Sequence, residues 1–398
     1  MSKVRLRDFI KTDVGFFAIN TYYHPKDKYI GFLRYLNLDM VGKDVIKKYN
    51  LNPNDIRTLG NERYIKIADT YKTYDILKEY FPNYLFYDET TTDVILHGIP
   101  KEDVLEILTP NERLMEIISN PQNDFEKKCK YLSDRLEEYG LNTKYMGITG
   151  STVLKLNCQQ SDIDFVIYGT KNHLKGREIL KELFEKKDDY ITPLPEDFWH
   201  KAYRKRIKDN TLTYNEFVMY EKRKYNRGLL FNTTMFDLLC TRDWNEITGN
   251  YGDYKYRGLG YAKIICDIND DRYVFDNPAL YGINNVEILN FENKIIKNNK
   301  NNIINDKINI VDNYSKNNNK NNNNNHTDDD LELSSENIKE IASYTHTYAG
   351  QVFKNERAVV RGKLELVSGK KSSYYRIVVG TSREAFNEYI KLWDCNGQ

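Results

Sequence analysis

The chain has 398 residues, 40% of them hydrophobic, with 59 Lys and Arg against 58 Asp and Glu for a formal net charge of +1. That length buries a sizeable core in roughly two or three domains, and the balanced charge excludes a global electrostatic attraction to nucleic acid, leaving only local basic surface. The five cysteines (Cys129, Cys158, Cys240, Cys266, Cys395) are scattered without a C-x-x-C pair and the six histidines lack metal-ligand spacing, which argues against a disulfide framework or a zinc site and for a reducing compartment.

Met1 to Ile10 alternates charged and apolar residues without a signal-peptide core, and no apolar run approaches bilayer-spanning length. The expected location is therefore the cytoplasm, with no membrane partner. Residues 1–110 read as an N-terminal α+β domain of unknown role. Phe16 to Ile19 and Tyr29 to Tyr35 form strands around a turn at His24-Pro25-Lys26-Asp27, where His24 reads as a turn residue. Thr70 to Tyr80 is a helix stopped by Pro82, and Tyr84 to Tyr87 and Asp93 to His97 are further strands.

Residues 111–250 have a different pattern. Asn123 to Tyr139 spaces Phe125, Cys129, Leu132 and Leu136 as a helix face, closed by Gly140. Thr143 to Ile148 is a short strand that leads into a Gly150-Ser151 turn, and Ser151 to Leu156 a short helix. Ten residues separate Ser151 from Asp162-Ile163-Asp164-Phe165, which opens a strand that runs to Tyr168. Alternate strand residues share a face, so Asp162 and Asp164 stand side by side, and two such carboxylates repel unless a cation lies between them. Mg²⁺ is the hard ion that takes such oxygens together with substrate phosphates. His173 to Lys187 is helical. The capping box Thr213-Tyr214-Asn215-Glu216 starts another helix, which ends in a charged cluster containing Arg223, Lys224 and Arg227. Asp237 then interrupts the otherwise apolar strand Thr234 to Cys240 and supplies a third carboxylate.

Residues 251–398 read as a small β-barrel, OB-like, with strands at Ala262 to Ile268, Arg272 to Phe275 and Val286 to Leu289. A hairpin joins Ala358 to Val367 and Tyr374 to Val379. An Asn- and Lys-rich tract at about 293–330 is expected to be a disordered insertion. Gly362 suggests a bulge or corner. A second capping box, Thr381 to Glu384, predicts a last helix burying Phe386, Tyr389, Ile390 and Trp393. Lys354, Arg357, Arg361, Lys363, Lys370, Lys371 and Arg376, interleaved with Phe353, Tyr374 and Tyr375, suit single-stranded nucleic acid as well as they suit a plain solvated sheet.

The central constellation implies nucleotidyl transfer. Asp162, Asp164 and Asp237 are the candidates to hold two Mg²⁺ ions, Gly150 and Ser151 to bind the triphosphate of an NTP, and Arg223, Lys224 or Arg227 to neutralise developing charge. The residues Gly150-Ser151, a gap of ten, then Asp162-Ile163-Asp164-Phe165 resemble the DNA polymerase β-type nucleotidyltransferase superfamily, over about 123–242. The resemblance implies an α+β fold with a mixed sheet and metal-binding roles for the two motif acids and a later strand acid, here Asp237. The whole chain is also similar to an uncharacterised archaeal group of predicted nucleotidyltransferases, through the central domain, the Glu221 to Gly228 helix end and Val360 to Glu365. The signature is shared with archaeal CCA-adding enzymes too, but they carry it near the N-terminus, whereas more than a hundred residues precede it here. The expected acceptor is RNA or another nucleic acid. The alternatives are a small-molecule or protein acceptor, or a nucleic-acid-binding protein on a retired transferase scaffold.

Overall fold

The computed structural model describes residues 3–158, 161–293, 333–370, 372–380 and 385–393. The Asn- and Lys-rich insertion lies almost wholly outside the described residues, as does the second capping box. The described chain forms three sheets with helices between and around them, a mixed α+β architecture.

The first sheet holds β1 (Phe9–Thr12), β2 (Gly15–Ile19), β3 (Lys28–Asn37), β4 (Ile56–Leu59), β5 (Glu62–Lys66), β6 (Leu85–Asp88), β7 (Val94–Pro100) and β8 (Glu106–Leu108), with α1 (Leu38–Val41), α2 (Asp44–Lys48) and α3 (Thr70–Tyr80). Its main path runs β4-β5-β3-β2-β1-β8, and β7 joins the β6 hairpin to β3. The helix predicted over 70–80 is α3. Its start is fixed by Asp69, whose carboxylate accepts from the amides of Tyr71 and Lys72.

The second sheet is ordered β11 (Ile191–Thr192), β12 (Arg227–Leu230), β13 (Thr234–Thr241), β10 (Ile163–Tyr168) and β9 (Met146–Ile148). Only β10 and β13 run parallel. Helices α4 (Pro110–Ser119), α5 (Asp124–Glu138) and α7 (Thr170–Glu185) contribute Leu114, Leu132 and Leu180 to a core with Phe165, Ile167, Phe236 and Leu238. These strand residues alternate with Asp164 and Asp237, so the core takes one face of the sheet and the acids stand on the other. Residues 143–145, expected to be extended, form a 3-10 turn, because Asn142 caps the amide of Lys144 before β9 begins.

The third sheet contains β14 (Tyr254–Tyr273), β15 (Ala279–Asn293), β16 (Ile338–Ser343), β17 (Arg357–Gly369), β18 (Ser373–Val379) and β19 (Tyr389–Leu392). Two predicted strands merge into β14: register shifts around Ile268, Asp270 and Tyr273 absorb the polar Asn269-Asp270-Asp271 step, which reads as a break in the sequence. Pairings run β14-β15-β16-β18-β17, and β17 pairs back onto β14. Gly362 keeps register with Ala262, and its lack of a side chain leaves room for the carbonyl of Val378. The predicted last helix is contradicted. Residues 389–392 form a strand whose Ile390 lies opposite Val360, and Phe386 is 56% exposed. β18 pairs with β17 only from Lys363 onward, which leaves the edge of Ala358 to Arg361 free to recruit a β-branched and aromatic segment.

Helices α8 (Glu196–Arg206) and α9 (Tyr214–Arg223) lie within the 111–250 span, yet Trp199, Ala202, Phe217, Val218 and Tyr220 share a core with the third sheet. The N-terminal sheet likewise reaches the second sheet: Phe9, Phe16, Tyr35 and Tyr64 pack with Val153 at the end of α6 (Gly150–Val153) and with Leu154 and Leu156 just after it. Among the described residues, no helix is long and apolar enough to cross a membrane.

Candidate active site

Three strands align three charged side chains. Asp164 on β10 is directly opposite Asp237 on β13, and Asp237 is directly opposite Arg227 on β12. Residues opposite each other across a ladder share a face, so the row Asp164-Asp237-Arg227 crosses one side of the sheet. Asp162 sits one residue before β10 and is exposed, so the pleat that fixes Asp164 does not fix its direction.

The Gly150 turn is built around Asp164. The amide of Thr149 donates to the carbonyl of Asp164 at 2.9 Å. Gly150 has φ +67°, and a Cβ there would overlap Oδ2 of Asp164. Glycine is required on both counts: no other residue accepts this backbone cheaply, and the carboxylate occupies the place of a side chain. Ser151 donates its hydroxyl to Ser161 Oγ at 3.5 Å, beside the acid strand. Lys155 pairs instead with Glu116, at 3.0 Å.

The charge of Asp237 raises the proton affinity of the two motif acids. Burial and then the charge of Asp237 lift Asp164 from 3.8 to about 6, and the same causes raise Asp162. Asp237 has a partner: Arg227 Nε lies 3.1 Å from its Oδ1, although neither atom meets hydrogen-bond geometry. Arg242, the arginine nearest in sequence, turns away to Asp276 at 2.7 Å. Among the described residues, no group of three or more His, Cys, Asp or Glu side chains is gathered tightly enough to hold a metal ion as it stands.

The other predicted cations have structural partners. Lys224 is 1% exposed, donating to Glu221 Oε1 at 2.6 Å and to the carbonyl of Thr347 at 2.7 Å. This corrects its expected role, since an ammonium so enclosed cannot meet a triphosphate. Glu221 also binds Arg206 at 3.0 Å and Arg227 at 3.2 Å. Burial disfavours the Glu221 charge, but Lys224, Arg227 and Arg206 outweigh it and hold its pKa at about 2. Arg223 pairs with Glu356 and lies over the Phe353 ring, tying α9 to the third sheet.

The basic surface expected on the C-terminal sheet is largely neutralised. Arg376 is 4% exposed and bound to Glu365 and Glu340; Arg357 pairs with Asp267 and Glu287, Arg361 with Glu292, and Lys370 with Asp253. Tyr375 is buried. Local like-charge counting could not reveal this, because most of the partners lie on β14 to β16, far away in sequence.

Sequence reasoning missed groups brought in by the flanking regions. Arg7 and Lys66, from the N-terminal region, act electrostatically on Asp164. His346, from the segment after β16, lines a cavity of about 20 Å³ together with Arg7, Asn226 and Arg227. None of the three belongs to a local motif, so no signal in the sequence pointed to them.

A nucleotidyltransferase domain matches residues 129–226, the span that holds the glycine turn and the first acid strand. The match takes in Gly150, Ser151, Asp162 and Asp164, and ends before Asp237. The chain belongs to the family of the uncharacterised protein MJ1086 of Methanocaldococcus jannaschii, to which it is 49% identical over 394 residues, 98% of this chain and 99% of that protein. No solved structure gave a significant match.

Proposed function

We propose that the protein is a Mg²⁺-dependent nucleotidyltransferase that moves a nucleoside monophosphate from an NTP to an acceptor hydroxyl. The observation that carries the reading is the Asp164–Asp237 pair, two carboxylates directly opposite on parallel strands with Gly150 against one of them. The donor set suits Mg²⁺, being all carboxylate oxygen, and burial together with the Asp237 charge disfavours the bare Asp164 carboxylate. Asp162, Asp164 and Asp237 would hold two ions, which when bound activate the attacking hydroxyl and offset charge on the leaving pyrophosphate. In the transfer, the acceptor oxygen bonds to the α-phosphorus, the bond from that phosphorus to the bridging oxygen of the β-phosphate breaks, and the hydroxyl proton leaves to solvent.

The residues of this chain orient the parts. Gly150 leaves the space that Asp164 occupies, and the Ser151 hydroxyl borders the place for the triphosphate. Arg227 steadies Asp237, and its poorly aligned contact costs little to rearrange when a cation arrives. We further read the ring of pairings in the third sheet as an OB-like barrel, and take 1–110, 111–250 and 251–398 as three units, with α8 and α9 strapping the second to the third. RNA is the acceptor we test first, although the neutralised arginines of the barrel remove the argument from basic surface.

The Arg227–Asp237 contact favours one second reading, a retired scaffold whose third acid has been consumed by an ion pair. One experiment separates the two. Purified protein is incubated with each α-³²P-labelled NTP and Mg²⁺, with and without cellular RNA, beside the Asp162→Ala/Asp164→Ala double variant. Label transferred only by the wild type supports the enzyme and names its donor, and the labelled species names the acceptor class. Absence of transfer, with RNA retained on a filter, supports the scaffold.

A further inference from the structure

The N-terminal sheet presses one face onto the loop that carries the Gly150 turn. Tyr35 and Lys66 are directly opposite on β3 and β5, and Tyr64 is two residues from Lys66, so all three share a face. Tyr35 and Tyr64 on that face pack against Val153, Leu154 and Leu156. Lys66 is thereby carried to the border of the acid site, where its charge is felt by both Asp162 and Asp164. Asp55, Arg34 and Arg57 also face it. Its side chain is half-buried and forms no ion pair or hydrogen bond among the described residues. Burial, and then Arg34, lower its pKa, and Asp55 and Asp164 offset this cost only in part.

Arg7 approaches the same site along a different path. Its amide donates to the carbonyl of Ile19 at 3.0 Å, and its carbonyl accepts from Thr149 Oγ1 at 2.7 Å. These bonds bracket a left-handed backbone, φ 77°, at a non-glycine residue. Thr149 is the residue whose amide binds the carbonyl of Asp164, so Arg7 is anchored to the turn itself. The guanidinium donates through Nε to the carbonyl of Cys240 at 3.3 Å and forms no ion pair among the described residues.

The cations that sequence reasoning assigned to phosphate are occupied elsewhere, while these two, on elements outside the matched domain, have no carboxylate partner. We propose that the N-terminal region completes the active site, with Lys66 and Arg7 binding the polyphosphate of the substrate nucleotide opposite the acid row. This rests on the nucleotidyltransferase reading and deepens it. The first domain thereby gains a chemical role, adding two cations to Lys205 of α8, whose charge also acts on Asp162.

The test uses the full chain and magnesium tripolyphosphate, a probe with the phosphate chain and no base, beside the NTP that serves as donor. Affinity is measured by calorimetry for the wild type, Lys66→Met, Lys66→Arg and Arg7→Gln, with far-ultraviolet circular dichroism and unfolding midpoints as fold controls. Lys66→Met keeps the length and apolar stem of the side chain and so carries the test even if Arg7→Gln disturbs the turn. The expected result is tripolyphosphate binding weakened by about tenfold in Lys66→Met, with the loss in transfer appearing mainly in KM, and restored to within about threefold in Lys66→Arg. Wild-type affinity in a folded Lys66→Met protein overturns the proposal while leaving the transferase reading intact. A wild type that binds neither tripolyphosphate nor any NTP and transfers nothing overturns both.

Discussion

Replacing Gly150 with alanine tests the active-site geometry with one methyl group. The backbone at Gly150 has φ +67°, a conformation that costs a residue with a Cβ about 1–2 kcal/mol. The new Cβ would also overlap Oδ2 of Asp164 and stand 3.2 Å from its Cγ, so the carboxylate must shift by about 1 Å to regain van der Waals contact. A misplacement of that size in a catalytic group lowers turnover by about a hundredfold. The expected result is therefore asymmetric: stability falls by about 1–2 kcal/mol, read from chemical denaturation, while transfer from the α-³²P-labelled donor falls by about a hundredfold. Gly258→Ala is the matched control, since nothing lies within 4 Å of its added Cβ; both measurements should stay at wild-type values. Full transfer by a folded Gly150→Ala protein would refute the claim that Asp164 must occupy this position.

Asp164→Asn should abolish transfer yet stabilise the metal-free protein in a pH-dependent way. The folded pKa of about 6 lies above the reference value of 3.8, so the stability the carboxyl contributes is full below the latter and lost as pH rises through the former. The variant should match the wild type near pH 4 and exceed it near pH 7 by at most about 3 kcal/mol, measured by denaturant titration at each pH. Glu221→Gln leaves Lys224, Arg206 and Arg227 buried without their common anion, and should lower stability by about 3–5 kcal/mol in the same assay. Chelation of divalent cations should stop transfer, and added Mg²⁺ should restore it without refolding, as followed by circular dichroism.

Local features of the site were legible in the sequence because each has a local cause. Thr213 caps its helix as expected, by a complete capping box with Glu216. The Gly150 turn and the Asp164 strand are set by residues within a short window, and alternation along Thr234 to Cys240 puts Asp237 on the acid face. Failures arose where distant segments decide the outcome. Lys224 looked like a free cation in a charged cluster, but its partners include the carbonyl of Thr347, more than a hundred residues away. Residues 389–392 have an apolar pattern that suits a helix, but the open edge of β17 made them a strand. Arg7 and Lys66 lie in a region without any motif; the packing of Tyr35 and Tyr64 on the 153–156 segment brings Lys66 to the acids, and the bond from Thr149 to the Arg7 carbonyl brings Arg7.

The distribution of ion pairs separates scaffold from site. On the third sheet the arginines at 357, 361 and 376 each meet a carboxylate, and in the strap Glu221 gathers three cations around one buried charge. Such groups have their electrostatic work done inside the molecule. The row on the second sheet is different: Asp164 has no ion-pair partner among the described residues, and Asp237 shares Arg227 with Glu221. Arg7 and Lys66, the cations nearest to compensating Asp164, influence it without closing on it. Folding alone gives no reason to keep two under-neutralised acids and two unpaired cations around one glycine turn, since any of them could close into a pair or give way to an apolar residue at a gain in stability. An incoming ligand that carries both signs, a polyphosphate with its divalent cations, satisfies both sets at once. On the proposed reading the site takes a metal-bound nucleotide rather than a simple anion, so anion binding should depend on Mg²⁺. Tripolyphosphate affinity measured with and without the ion should differ by at least about tenfold, and equal affinity in the two conditions would refute this account of the charge.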